Sequence, residues 1–104
     1  MTQEPITKVV FRKWGPAKGG GILALFPEIP ADIHGYHCQS YEHIGQHGTA
    51  DYALCIRKTR PAVPGEYADL KEELEKIGYH LDVVTRITPA MVEARQRALK
   101  EMLK

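Results

Sequence analysis

The chain reads as an α+β domain of two layers, an antiparallel sheet of about four strands in the order β-β-β-α-β-α with two helices packed on one face. Three patterns predict it. Runs of β-branched and aromatic residues from Ile6 to Trp14 and from Ile22 to Phe26 flank a glycine-rich break. Tyr67, Leu70, Leu74 and Ile77 recur at helical spacing between Pro64 and Gly78. Apolar and polar residues alternate from Tyr79 to Ile87, and Thr88-Pro89 then opens a second amphipathic stretch.

Taken in order, Ile6 to Trp14 is a strand with one half-solvated face, because Arg12 and Lys13 interrupt Val9, Val10, Phe11 and Trp14. Pro16 and Gly19-Gly20-Gly21 make the turn into a second strand that ends at Phe26, where Pro27 and Pro30 impose a loop running to about Gly35. A third strand follows from Tyr36 to His43, with Tyr36, Cys38 and Ser40 on one side and His37, Gln39, Tyr41 and His43 on the other. Gly45 and Gly48 break regular structure and leave His47 on a loop. Ala50 to Lys58 is a short helix capped by Thr49, or else an extended segment with Tyr52, Leu54 and Ile56 on one face. Pro64 to Ile77 is a helix closed by Gly78, with Tyr79 over Leu74 and a Glu72–Lys76 pair. A strand from Tyr79 to Ile87 and a helix from Pro89 to about Leu103, burying Met91, Val92, Ala98, Leu99, Met102 and Leu103, complete the order.

Hydrophobic content of 43% and charged content of 26% over 104 residues are those of one globular domain, 1–104, and exclude long disorder and a fibrous repeat. The longest apolar run, Gly21 to Pro27, is far shorter than the ~20 residues of a membrane-spanning helix. Cys38 and Cys55, with no secretory leader pattern at the start, predict reduced thiols and a cytoplasmic protein. Net charge is +1, so attraction to a polyanion depends on where the charge lies. It is blocked: positive up to Lys18, acidic from Gly21 to Ile56, basic at Arg57, Lys58 and Arg60, acidic again from Glu66 to Asp82, and basic in the tail.

Chemistry-bearing side chains concentrate between residues 34 and 47, where His34, His37, Cys38, His43 and His47 lie beside Glu42 and Asp51. Imidazole and thiolate bind borderline metals and move protons near neutral pH. The spacing matches no zinc knuckle; if a metal is held at all, Cys38, His43 and His47 are its ligands, and otherwise His37 and His43 share a solvated strand face while Cys38 packs in the core. A Cys/His enzyme would need Cys38 or Cys55 beside His43 or His47 with Asp51 or Glu42 orienting the base, and no local signature supports it. The residues favour binding over catalysis, imply no cofactor, and make His37, Tyr41, His43, Gln46, His47 and Asp51 the expected contact surface for a protein or small-molecule partner. An open sheet edge also permits a homodimer.

Nucleic acid is the alternative ligand, not favoured over the first. Arg12, Lys13, Arg57, Lys58 and Arg60, with Lys8, Lys18 and Trp14, would form one basic face with an aromatic platform. An isoelectric point of ≈ 7.8 and the acidic blocks weigh against it. The Gly19-Gly20-Gly21 turn beside Lys18 has the backbone donors of a phosphate cradle, but it leads into a strand rather than a helix and reads as a hairpin tip.

The strings VVFRKW (Val9 to Trp14), ALFPEIPAD (Ala24 to Asp32), SYEHIGQHG (Ser40 to Gly48), TRPAVPGEYADLKEELEKIGY (Thr59 to Tyr79) and LDVVTR (Leu81 to Arg86) resemble a family of small uncharacterised bacterial proteins. The resemblance spans nearly the whole chain. It implies a bacterial source and carries over no activity, cofactor or partner. Where such relatives have Thr-Pro-Glu-Glu before the long helix, this chain has Val63-Pro64-Gly65-Glu66, a weaker N-cap.

Overall fold

Val9 to Arg12 are four consecutive buried residues, so the first strand, β1 (Ile6–Trp14), is covered on both faces rather than half-solvated. The computed structural model, which describes residues 6–42 and 46–103 and leaves aside the side chains of Lys18, Gln46 and His47, places β1 centrally in a six-stranded sheet. β2 (Ile22–Pro30), β3 (His37–Glu42) and β4 (Gln46–Asp51) follow as an antiparallel meander on one side of it. Its other edge is shared: β5 (Thr59–Pro61) pairs antiparallel with Arg12–Trp14, and β6 (His80–Val83) pairs parallel with Ile6–Val9. The predicted α+β class holds, with six strands rather than about four.

Three of these strands depart from expectation for identifiable reasons. β2 runs past Phe26 to Pro30 because its register with β3 shifts between those residues, and prolines are tolerated at such an irregularity, where no ladder donor is needed. β4 forms despite Gly48, whose cross-strand partner is Ser40; a Cβ there would lie 3.3 Å from Ser40 Oγ, so glycine fits the close approach. Residues 46 and 47 therefore belong to a strand and not to a loop. β6 is shorter than the alternating run from Tyr79 to Ile87, since only His80–Val83 finds a partner.

Three helices cover the sheet. α1 (Tyr52–Lys58) is the short helix of the two expected alternatives, but its cap is Asp51, whose carboxylate accepts Leu54 N at 3.1 Å, rather than Thr49. α2 (Pro64–Ile77) has the predicted bounds; Gly78 closes it at φ 126°, the amides of Gly78 and Tyr79 donate to Leu74 O, and Glu66 Oε1 accepts the amide of Val63 at its start. α3 (Pro89–Met102) is capped by Thr88.

The alternation of strand side chains makes two cores. On one face Val9, Phe11, Ala24, Phe26 and Tyr41 pack with Leu70 and Leu74 of α2, while Tyr67 stacks on Phe11 at 4.3 Å and Tyr79 on Phe26 at 5.1 Å. On the other, Val10, Leu23, Leu25, Cys38 and Ala50 meet Trp14 and, from α1, Tyr52 and Cys55. Helices thus lie against both faces, which explains why β1 is buried twice over.

α3 rests on β2 and buries Met91, Arg95 and Leu99. Arg95 interrupts the apolar stripe because its guanidinium donates to Gly35 O at 2.9 Å and Pro27 O at 3.0 Å, satisfying two carbonyls of the β2–β3 connection. Met102 and Leu103, expected in the core, are 70% and 65% exposed. Among the described residues no helix is long and apolar enough to cross a membrane.

Candidate functional site

The imidazole and thiol residues occupy separate environments. Cys38 is fully buried, and its thiol is pushed up to about 11 chiefly by burial, with Arg95 opposing. Cys55 is half-buried and also raised, first by burial and then by Asp51 and Glu42. Both are free thiols, protonated at neutral pH and poorly suited as nucleophiles or metal ligands.

His37 Nδ1 lies 3.1 Å from Asp32 Oδ2, and its amide donates to Asp32 Oδ1 at 3.0 Å. The backbone bond, followed by the side-chain bond, holds the Asp32 carboxyl below its ordinary value. His34 stacks on Tyr36 with centroids 5.7 Å apart. Asp51 is occupied in capping α1. Tyr41 must be corrected from contact residue to core residue: it is 1% exposed and its hydroxyl donates to the Glu73 carboxylate. His43 lies outside the described residues, and of Gln46 and His47 only the strand backbone is described. Among the described residues no three His, Cys, Asp or Glu side chains are grouped to hold a metal.

The basic residues do converge. Lys13, Arg57, Lys58 and Arg60 line one cleft of about 800 Å³ together with Trp14 and the Gly19-Gly20 turn. β5 brings them there. Its three residues follow directly on Arg57 and Lys58, the last turn of α1, and lie antiparallel to the end of β1, with Arg60 opposite Lys13 and Thr59 opposite Trp14. Segments more than forty residues apart in the chain are thereby set side by side.

Two of the four cations are held and two are not. Glu66 receives Lys13 Nζ at 3.0 Å and a two-pronged contact from Arg60, NH1 to Oε1 at 2.8 Å and NH2 to Oε2 at 2.5 Å. Arg60, then the amide of Val63, then Lys13 keep the Glu66 carboxyl far below the usual carboxylate range, while Glu66 in turn raises Arg60. Arg57 and Lys58 are exposed and have no charged partner within bridging distance among the described residues. The indole Nε1–H of Trp14 donates to Glu42 Oε2 at 3.3 Å.

Arg12 is not part of this surface. At 7% exposure its side chain turns inward and bonds Thr59 and Ile56, and burial lowers its pKa from the ordinary value. The glycine turn is the expected hairpin tip. Gly19 N donates to Pro16 O and Gly20 N to Gly15 O, so these amides serve the turn, and φ of 87° and 66° explains why both positions are glycine.

Charge alone marks Lys13, Arg57, Lys58 and Arg60 in the sequence, whereas Glu66, which holds Lys13 and Arg60, is legible there only as a helix-start residue. No family model matches this chain, and neither does any curated protein or solved structure.

Proposed function

We propose that this is a binding domain for nucleic acid, engaging the phosphate backbone through the cleft of Lys13, Arg57, Lys58 and Arg60. The observation that supports it most is that two chain-distant basic segments line one cleft together with Trp14. A net charge of +1 gives little general attraction, so affinity has to come from locally concentrated cations, each of which releases counterions when it neutralises a phosphate. Arg57 and Lys58 supply those contacts first. Lys13 and Arg60 lie beside them with their charge offset by Glu66, and Arg forks suit phosphate oxygens.

Fluorescence anisotropy of a labelled twelve-nucleotide oligomer titrated at rising KCl tests the reading. The expected log–log slope is about −1.5 to −3, corresponding to two to four phosphate contacts, and the double change Arg57→Ala with Lys58→Ala flattens it by about 1.5. Absence of binding at low ionic strength, or binding indifferent to that double change, refutes it.

A further inference from the structure

We infer that the cleft takes a single strand, with Trp14 as the stacking platform for a base and the cations on the adjoining backbone. This rests on the nucleic-acid reading and narrows its ligand class.

Trp14 is the only tryptophan of the chain, and it belongs to two environments at once. It packs against the core of Val10, Leu23 and Leu25, and it also lines the basic cleft. Its backbone is fixed by pairing with Thr59, and the Glu42 carboxylate accepts its Nε1–H at 3.3 Å. An indole anchored at both core and edge loses little freedom when a base stacks on it. The same carboxylate repels phosphate at the indole edge, so the ring is left to a base while phosphates settle on Arg57 and Lys58.

The indole, rather than the shape of the site, separates single strand from duplex. The cleft of about 800 Å³ is open to solvent and leaves room beside Trp14 for an unstacked base with its sugar and phosphate. A duplex keeps its bases stacked inside and offers none of them to the ring. At Gly15 and Gly19, beside Trp14, there is open space where a Cβ would stand, so these two positions put no side chain of their own in the way of a bound strand. Aromatic stacking beside a basic track is the arrangement that binds single strands with little sequence preference.

The intact protein is titrated with three twelve-mers at low salt: oligothymidylate, an abasic phosphodiester of the same length, and a duplex. Oligothymidylate is expected to quench Trp14 emission and to bind about tenfold or more tightly than the abasic chain, which leaves the emission unchanged. By anisotropy, Trp14→Phe keeps most of that preference and Trp14→Leu loses it, with circular dichroism confirming the fold. Should Trp14→Leu unfold, the quenching contrast in the wild-type protein decides. Equal affinity for thymidylate and abasic chains, or tighter binding of the duplex, overturns the inference and leaves the proposed function standing. Failure to bind all three overturns both.

Discussion

The guanidinium of Arg12 grips Thr59 on both its side chain and its carbonyl: Nε donates to Oγ1 at 2.9 Å and NH2 to the carbonyl oxygen at 2.7 Å. The same NH2 reaches Ile56 O at 3.1 Å, and Thr59 Oγ1 donates to Cys55 O at 2.6 Å. The carbonyls at the C-terminal end of a helix have no partner within the helix, and here a buried cation from the central strand supplies one. Arg57 and Lys58 lie between Ile56 and Thr59, so the placing of the two unpartnered cations depends on this grip.

Arg12→Ala is therefore expected to cost about 1.5–3 kcal/mol, since it leaves two carbonyls without their charged donor. Urea unfolding followed by circular dichroism reads it as a lower midpoint. Arg12→Lys recovers little of the loss, because a point-like ammonium does not reproduce the fork. An unchanged midpoint in Arg12→Ala means that water satisfies the helix end and that the grip is dispensable.

Leu74 and Leu103 provide a matched pair in opposite surroundings. Leu74 is 0% exposed in the core beneath α2, and Leu103 is 65% exposed at the end of α3. Truncation to alanine is expected to cost about 2–5 kcal/mol at Leu74 and to stay within about 0.5 kcal/mol at Leu103. Comparable costs at the two sites contradict the packing described above.

That contrast also shows where sequence reading reaches and where it stops. α2 was legible because Pro64, Gly78 and the Leu70–Leu74 spacing all state the same helix locally. β4 was not, since Gly48 is a local breaker whose place in a strand comes only from its partner Ser40. Arg95 is not among the residues that the pattern of α3 marks for burial, and its burial follows from carbonyls sixty and more residues away. At the cleft, charge named Lys13, Arg57, Lys58 and Arg60, but their meeting depends on β5, a strand of three residues and too short to leave a period. Arg12 does not join Lys13 on the expected basic face because neighbouring strand residues point to opposite sides of a sheet, and the side that Arg12 occupies is covered by the end of α1.

Cys38 links the core to alkaline pH. Its thiol is raised from 9.0 to about 11, so the folded state holds its proton where the unfolded chain releases it. The contribution to stability is intact below about pH 9 and disappears as pH rises toward 11. The melting temperature of the wild-type protein is expected to fall over that interval more than that of Cys38→Ala. A thiol-labelling reagent at pH 8 is expected to modify Cys55 first, Cys38 being sealed off. Parallel pH curves for the two proteins, or equal labelling rates, exclude this account.

Glu66 acts at the acid end and on the ligand at once. Its carboxyl is depressed in the folded state by Arg60, the Val63 amide and Lys13, so its contribution is present above the ordinary value of 4.5 and is lost as pH falls below it. Glu66→Gln keeps an oxygen for the Val63 amide but removes the charge. Its stability is expected to vary less with pH in the acid range than that of the wild-type protein, as read from melting temperatures between pH 3 and 6. The substitution also frees Lys13 and Arg60 from their counter-ion within the cleft. Affinity for an oligonucleotide is expected to rise, and the salt slope to steepen by about 0.7 for each further phosphate engaged. A fall in affinity instead means that Glu66 serves as a positioning clamp for the two cations, which bind only when held.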